Sequence, residues 1–491
     1  MVVTSLPPVP PVPPTALAAD LRPALFAAGY TASGVSTWLG PVAERALARG
    51  EPAAARLACQ GGSDLEILIQ LFLLAEPVAE VDAEKALGGH GLTSGVLLAE
   101  GRGVVAAAID IRPYGDGWWV VSDLRAPGGG EPLDPDAVVG IGSASVTLVT
   151  ATPRPSVATA LDLGTGCGVQ ALHLAGPGVT VTATDTSDRA LQMAALTAAL
   201  SDVELELVAG DLFAPVAGRT FDQIVANPPF VIGPDRYTYR DSALPADGLT
   251  AAVVGGVAEH LTVGGTATML ASWLAVSGED WRDRVRSWLP SNCDALVLLR
   301  EQLDPAEHVA LWLADGDESL DAEAPDGTAE AWLLELESQD ADGICYGLVL
   351  LRRLPADAAP VVSMLDLRDE PQLPSGPRLL AWLERVSALR GVDGRSLRLA
   401  KAPELRMVRA FDADEDGWGQ VGATLSAPGA LPASVAVNEL LVALVKECEP
   451  ELPLGAVLDL VAAGTANPKL GEDALPAVLR LVEAGLLVPA G

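Results

Sequence analysis

No uninterrupted apolar run in this chain approaches about eighteen residues, so a membrane-spanning helix is not expected. Cysteine is scarce. Cys59, Cys167, Cys293, Cys345 and Cys448 are scattered, odd in number and without a CxxC pair. That pattern implies neither a disulfide framework nor a zinc site, and a reducing cytoplasm fits it. The four histidines, His90, His173, His260 and His308, stand isolated and show no metal-ligand spacing. Positive charge is also short, with 31 basic against 65 acidic residues and a formal net charge of −34. Broad, non-specific wrapping of nucleic acid is thereby disfavoured, because its affinity comes from phosphate neutralisation. A local basic patch remains open. The amino end has no basic n-region, and its first fourteen residues, Met1 to Pro14, carry six prolines. It reads as a disordered polyproline-type tail rather than a signal peptide.

What is present is a long, core-forming chain of 491 residues, 49% of them hydrophobic, for which two to four domains are expected. Residues 15–130 read as helices followed by a hairpin. Leu17, Leu21, Leu25 and Phe26 recur at helical spacing, Asp64 to Leu74 repeats the pattern, and Leu92 to Glu100 reads as a further short helix. Val104 to Ile111 and Trp118 to Leu124 are apolar runs joined by Pro113-Tyr-Gly-Asp-Gly117, a hairpin signal. That order matches a winged helix, and equally a small α/β module. Pro127-Gly-Gly-Gly130 marks a linker.

Residues 136–355 alternate strand and helix patterns. Val157–Leu163, Val179–Thr184, Val203–Val208, Phe221–Ala226, Thr266–Ala271 and Ala295–Leu299 are strand candidates, with helical stretches such as Asp188–Leu200 between most of them. The alternation predicts an α/β, Rossmann-like domain: a parallel sheet with helices on both faces. A last run, Ile344 to Leu351, follows an acidic insert with one convincing helix near Ala306 to Leu313. Residues 365–491 form a further, α+β unit. It ends in helices over Ala436–Val445, Leu454–Val461 and Ala474–Leu481, closing on Gly485-Leu-Leu-Val488, in the manner of a small winged helix or helical bundle.

The chemistry lies in the middle domain. Leu161-Asp-Leu-Gly-Thr-Gly-Cys-Gly168 is a Gly-rich turn between a strand and a helix, and Gly164, Gly166 and Gly168 let backbone approach a ligand closely. Three acids sharpen this. Asp162 precedes the loop, where a carboxylate can meet a donor's ammonium group. Asp185 closes the second strand, where it can accept from two ribose hydroxyls, and Asp211, with Leu212, closes the third, within reach of an adenine amino group. All three gather at the carboxyl edge of the sheet, the expected ligand crevice. A helix N-cap is the competing role, for Asp185 above all. Cys167, inside the loop, reads as a small packing residue.

Asn227-Pro228-Pro229-Phe230 ends the apolar run Phe221–Ala226. The Asn side chain supplies an amide oxygen, and the Pro228 carbonyl can point the same way because the ring fixes φ. Two acceptors beside an aromatic face suit the holding of a flat, NH2-bearing group.

With these motifs the stretch 136–355 resembles the class I S-adenosylmethionine-dependent methyltransferases, specifically the NPP[FY] branch. That branch contains protein-glutamine N5, ribosomal-RNA guanine-N2 and adenine-N6 methyltransferases. Ile141-Gly-Ser-Ala-Ser145, Tyr239-Arg-Asp241 and Asp247-Gly-Leu249 are more similar to the glutamine enzymes, whereas Phe230 in place of Tyr leans towards the RNA-guanine branch. The resemblance implies S-adenosyl-L-methionine as cofactor. Asp162, Gly164, Gly166, Gly168, Asp185, Asp211 and Leu212 would bind it, and Asn227, Pro228, Pro229 and Phe230 would form the catalytic grip. It also implies a cytoplasmic enzyme whose acceptor is RNA, with an exocyclic base amine placed first, or a ribosomal or translation protein with a glutamine side chain. Two basic groupings bear on that choice: Arg236, Tyr237, Tyr239 and Arg240 after the NPPF motif, and Arg385, Arg390, Arg395, Arg398, Lys401, Arg406 and Arg409 further on. The latter would contact RNA phosphates, or simply line the solvated faces of a helix and two strands.

Overall fold

A computed structural model describes residues 6–115, 117–125, 134, 136–229, 231–233, 244, 246–315, 328–414, 417–465 and 470–490. They form two compact units, Met1–Val149 with Val157–Met364, and Thr150–Ser156 with Leu365–Gly491.

The first unit begins with helices Pro14–Ala27, Ala32–Leu47 and Ala53–Ala58. Ser63 and Glu66 then form a capping box, which satisfies free amides at the start of Asp64–Leu68, and the helix continues as a π-helical turn, Ile69–Leu73. Strand Val78–Ala79, helices Glu80–Ala86 and Gly91–Ser94, and strands Leu97–Gly101 and Val104–Ala107 follow. The strand Val104–Ala107 lies in the middle of that three-stranded sheet.

Two expectations change here. The helix expected over Leu92 to Glu100 ends at Ser94, because Gly95 turns into the left-handed region with φ 80° and the chain leaves as a strand. The run Val104 to Ile111 is two strands, not one. Asp110–Tyr114 leaves the first sheet to pair with Trp118–Ser122. Ala108 and Ile109, at the corner, are fully buried, so apolar content continues through a change of partner and periodicity hides the break.

The central sheet has eight strands: β1 (Thr159–Leu163), β2 (Thr180–Asp185), β3 (Glu206–Ala209), β4 (Phe221–Ala226), β5 (Leu261–Val276), β6 (Cys293–Leu303), β7 (Ala341–Arg353) and β8 (Val362–Asp366). Their spatial order is β3-β2-β1-β4-β5-β7-β6-β8. The first five run parallel, as the alternation predicts. β7 is antiparallel to both of its neighbours, so the sheet is mixed. Parallel crossovers need an intervening helix or long connection, whereas an antiparallel strand can be inserted beside its predecessor. The helices are α1 (Ser143–Ala151), α2 (Val169–Leu174), α3 (Asp188–Ser201), α4 (Gly248–Gly256), α5 (Trp281–Arg286), α6 (Pro305–Asp315) and α7 (Thr328–Ser338). The last lies in the acidic insert, for which the sequence pattern predicts α6 alone.

Leu17, Leu21 and Leu25 of the N-terminal helix share one core with Met193, Leu196 and Leu200 of α3 and with Val169 and Leu172 of α2. A bidentate pair between Arg189 of α3 and buried Asp123 ties the second hairpin to the same surface, and Asp123 also accepts from the Val138 amide at 2.8 Å. The N-terminal segment is thus built directly onto the two helices that follow β1 and β2.

In the second unit, helix Gly376–Leu389 precedes strand Leu399–Lys401, a three-stranded meander (Arg406–Asp414, Gly417–Ser426, Ser434–Val437) and helices Glu439–Glu447, Leu454–Thr465 and Leu470–Glu483. The helix expected from Ala436 begins later, at Glu439. Asn438 caps it by accepting from the Leu441 amide at 2.9 Å, and the preceding residues are a strand. The closing strand Leu487–Pro489 pairs with Leu399–Lys401, before the helices, instead of with a following hairpin strand.

Candidate active site

β1 leads into the glycine-rich loop. Register pairs Leu163 with Thr184 on one side and with Ala226 on the other, so the strand ends of β1, β2 and β4 lie abreast. The loop amides of Gly164 and Thr165 both donate to the Thr184 carbonyl, at 3.0 and 2.8 Å. Gly164 and Gly166 take φ 73° and 52°, and the space a Cβ would enter at each is open. Gly168 (φ 85°) is different: a Cβ there would sit 3.3 Å from the Cα of Ala194, so this glycine lets α2 approach α3. The first two glycines leave open space beside the loop, and the third serves packing.

Asp162 is fully buried. One carboxylate oxygen accepts from the Thr165 hydroxyl at 2.7 Å and the Ala171 amide at 3.0 Å, while Oδ1 is buried without a partner. Burial pushes its pKa up to about 7, against the pull of those two donors. Asp185 accepts from the Gly166 amide and the Ser187 amide, each at 2.9 Å. Its carboxyl is also raised, by burial first, with the neighbouring amides acting the other way. The capping role open to Asp185 belongs instead to Ser187, whose hydroxyl accepts from the Ala190 amide of α3. Asp211 is exposed beyond β3 and Leu212 follows at φ 47°. Cys167 is buried and its thiol is pushed up to about 11, which leaves it unreactive.

Asn227 and Pro228 follow β4 directly, next to the glycine-rich loop that follows the paired strand β1. Asn227 Oδ1 is buried and has no hydrogen-bond partner, and Pro228 is buried. Pro229 is half-buried, whereas Phe230 lies outside the described residues, as do Arg236, Tyr237, Tyr239, Arg240 and Asp241. Asp247 is buried, accepts bidentately from Arg284 and accepts from the Leu274 amide at 3.1 Å, which pins the start of α4 to β5. Asp162 Oδ1 and Asn227 Oδ1, both buried without partners, therefore lie at the ends of the adjacent parallel strands β1 and β4. Buried acceptors are nearly always paired, so both oxygens are open to donors from outside the chain, as other unpartnered buried polar atoms such as Asp110 Oδ1 are elsewhere.

The distant groupings behave differently. Arg385 donates to the Glu483 carbonyl at 2.8 Å, Arg395 pairs with Asp459 at 2.6 Å, Arg398 donates to the Glu451 carbonyl, Lys401 pairs with Glu449 at 3.0 Å, and Arg409 reaches Glu439 at 3.3 Å. Most of the basic stretch is thus engaged within its own unit. Among the histidines, His173 meets the Tyr114 hydroxyl at 2.9 Å, and His260 stacks on Phe213. Thr165 and the carbonyl of Thr184 also shape the loop; the sequence pattern does not single them out, although both adjoin the recognised motif.

Residues 138–271 match the methyltransferase small domain family. They form a class I S-adenosylmethionine-dependent methyltransferase domain. Two further matches flank it, both to domains of unknown function: DUF7059 over residues 27–108 and DUF7782 over residues 380–489. The release factor glutamine methyltransferase of Deinococcus radiodurans is 40% identical over 130 residues, which is 22% of this chain and 46% of that protein. The chain therefore spans about half the length of that curated relative. Among solved structures, a ribosomal protein L11 methylase from Lactobacillus delbrueckii subsp. bulgaricus is 19% identical, covering 43% of this chain and 77% of its own, with a TM-score of 0.22. An rRNA methylase from Streptococcus thermophilus is 14% identical, covering 43% and 95%, with a TM-score of 0.24. The methyltransferase domain takes S-adenosylmethionine as cofactor, and the open glycine loop with the unpartnered Asp162 oxygen fits it. No described helix is long and apolar enough to cross a membrane.

Proposed function

We propose that the chain is an N-methyltransferase acting on a planar NH2 group, the side-chain carboxamide of a glutamine in a translation protein. The carrying observation is Asn227 Oδ1, a buried acceptor without a partner beside the donor loop. In this reading Asp162 receives the donor's ammonium group, Asp185 its ribose hydroxyls, and Asp211 with Leu212 the adenine. Bound there, S-adenosylmethionine supplies an electrophilic methyl carbon on a sulfonium. Asn227 and the Pro228 carbonyl accept the two acceptor hydrogens, and Phe230 stacks on the amide plane. Accepting both hydrogens favours a pyramidal nitrogen and so acts mainly in the transition state. Fixing nitrogen and methyl at near-attack distance supplies much of the rest.

A glutamine is preferred over an RNA base on two grounds. The basic stretch is largely paired with its own acids and carbonyls, and the net charge is −34. A winged-helix order would favour nucleic acid, yet the last helix before the strands, Gly91-Leu-Thr-Ser94, carries no cation for a phosphate or base edge. A cytoplasmic enzyme goes with such an acceptor. Labelled methyl transfer into cell extract decides between the acceptors: label that survives RNase and is lost to protease supports glutamine, and the reverse moves RNA into its place.

Two further outcomes are expected. Asp185→Ala weakens donor binding by about 1.5–3 kcal/mol, the usual worth of hydrogen bonds to a charged group. Unchanged affinity by calorimetry would remove Asp185 from the donor site. Replacing Arg395, Arg398 and Arg406 together by Gln leaves transfer nearly unaltered and lowers stability by at most about 1 kcal/mol per lost surface pair. If RNA is the acceptor, the same triple change instead flattens the salt dependence of binding by roughly one log–log unit per lost phosphate contact.

A further inference from the structure

The segment directly after the acceptor motif is held by residues that no feature of the motif announces. Val231 and Ile232 are buried in a separate core with Leu274, Trp332, Leu336 and Ile344. His308, on α6, is fully buried and its Nε2 lies 2.7 Å from the Ile232 carbonyl. A carbonyl only accepts, so Nε2 carries the proton and donates. Nδ1 then accepts from the Tyr346 hydroxyl at 2.6 Å, and the indole N–H of Trp312 donates to that same hydroxyl oxygen at 2.8 Å. The chain of donors runs Trp312 to Tyr346 to His308 to Ile232, in one direction, and fixes the tautomer. Trp332, on α7, closes the other side: a Cβ at Gly233 would sit 2.7 Å from its ring. All three polar partners come from the helical insert and the strand that follows it.

We propose that α6, α7 and β7 form a clamp that sets the acceptor segment, with His308 as a positioning residue for methyl transfer. This rests on the reading of Asn227 as the acceptor grip. Pro228 and Pro229 each fix φ next to Asn227, so in this proposal displacement at Ile232, three residues beyond Pro229, is felt at the Asn227 amide and the Pro228 carbonyl. The proposed donor residues sit instead at the ends of β1, β2 and β3, which lie on the far side of β4 and β5 from β7 in the sheet order. Loss of His308 therefore slows transfer without weakening donor binding.

The test uses the full chain, S-adenosylmethionine with a labelled methyl group, and extract of cells lacking the gene as the acceptor pool. Asn227→Ala is run alongside. His308→Ala is expected to slow transfer roughly 10–100-fold, the scale of a misplacement near 1 Å, with the donor Kd within about twofold. His308→Gln restores the rate to within about fivefold, since its amide can donate to Ile232 and accept from Tyr346. Amide exchange at residues 231–233 rises in the Ala variant and returns in the Gln variant. A folded His308→Ala with the wild-type rate, a folded His308→Gln no better than Ala, or a parallel loss of donor affinity overturns the clamp. Where His308→Ala fails to fold, Tyr346→Phe decides: slowed transfer at unchanged donor affinity supports the clamp, and a wild-type rate overturns it. Normal transfer by Asn227→Ala sinks the acceptor-grip reading, and the clamp with it. An inactive Asn227→Ala beside an unaffected His308→Ala sinks only the clamp.

Discussion

Asn227→Ala is expected to lower kcat by roughly 10²–10³-fold, the range for removing one acceptor or donor aimed at a transition state. Donor affinity should stay within about twofold, because that oxygen meets the acceptor group and not the donor. Stability should not fall. Asn227 Oδ1 has no partner within the protein, so the substitution breaks no hydrogen bond to it and removes a buried unsatisfied atom that costs about 1–3 kcal/mol. The thermal midpoint is therefore expected to hold or rise while activity disappears. A variant that unfolds earlier and keeps its turnover would reverse both halves of the argument.

Asp162→Asn separates stability from donor binding in a second way. The Asp162 carboxyl is raised to about 7 by burial, above its unfolded value. A raised group contributes stability that is fully present below the unfolded pKa and lost as pH rises through the folded one. In the donor-free protein the window is thus from about pH 4 to about pH 7, and at pH 8 an ionised Asp162 is carried at a cost of up to about 4 kcal/mol. Asparagine removes the charge yet can still accept from Thr165 and Ala171. The variant should be more stable than the wild type at pH 8, and should lose the difference near pH 4. Donor affinity moves the opposite way. Without the carboxylate, binding weakens by about 1.5–3 kcal/mol. In the wild type, donor affinity should increase with pH up to about 7, and donor uptake near neutrality should release a proton. Calorimetry in buffers of different ionisation enthalpy reads that proton directly. Equal donor affinity in wild type and variant across pH 6–8 would show that Asp162 does not meet the donor's ammonium group.

Much of the donor side is legible in the amino-acid sequence, because strand–glycine–helix chemistry is local. A loop needing positive φ must carry glycine where Gly164 and Gly166 stand, and acids at strand ends lie at the carboxyl edge of a parallel sheet. The placement of Asn227 and Pro228 directly after β4 is legible for the same reason, since it follows from four adjacent residues at a strand end. The helix boundary at Asp188 and the strand at Phe221–Ala226 follow from periodicity and capping.

Only tertiary structure decides the rest, and the reason is separation along the chain. The partners of Arg395 and Lys401, Asp459 and Glu449, come 64 and 48 residues later, so a stretch that is basic in sequence becomes a set of internal pairs in space. Spacing marks the N-terminal segment as helical, yet nothing in Leu17, Leu21 and Leu25 indicates that their apolar face closes on α3. β7 lies between β5 and β6 and runs antiparallel to both, a placement that its own residues do not announce. His308 lies 76 residues from Ile232, in an insert whose acidic composition masks its second helix. Local sequence determined the open glycine loop and the acids at the strand ends; the packing of distant elements determined which charges remain available and what holds Val231–Gly233 in place.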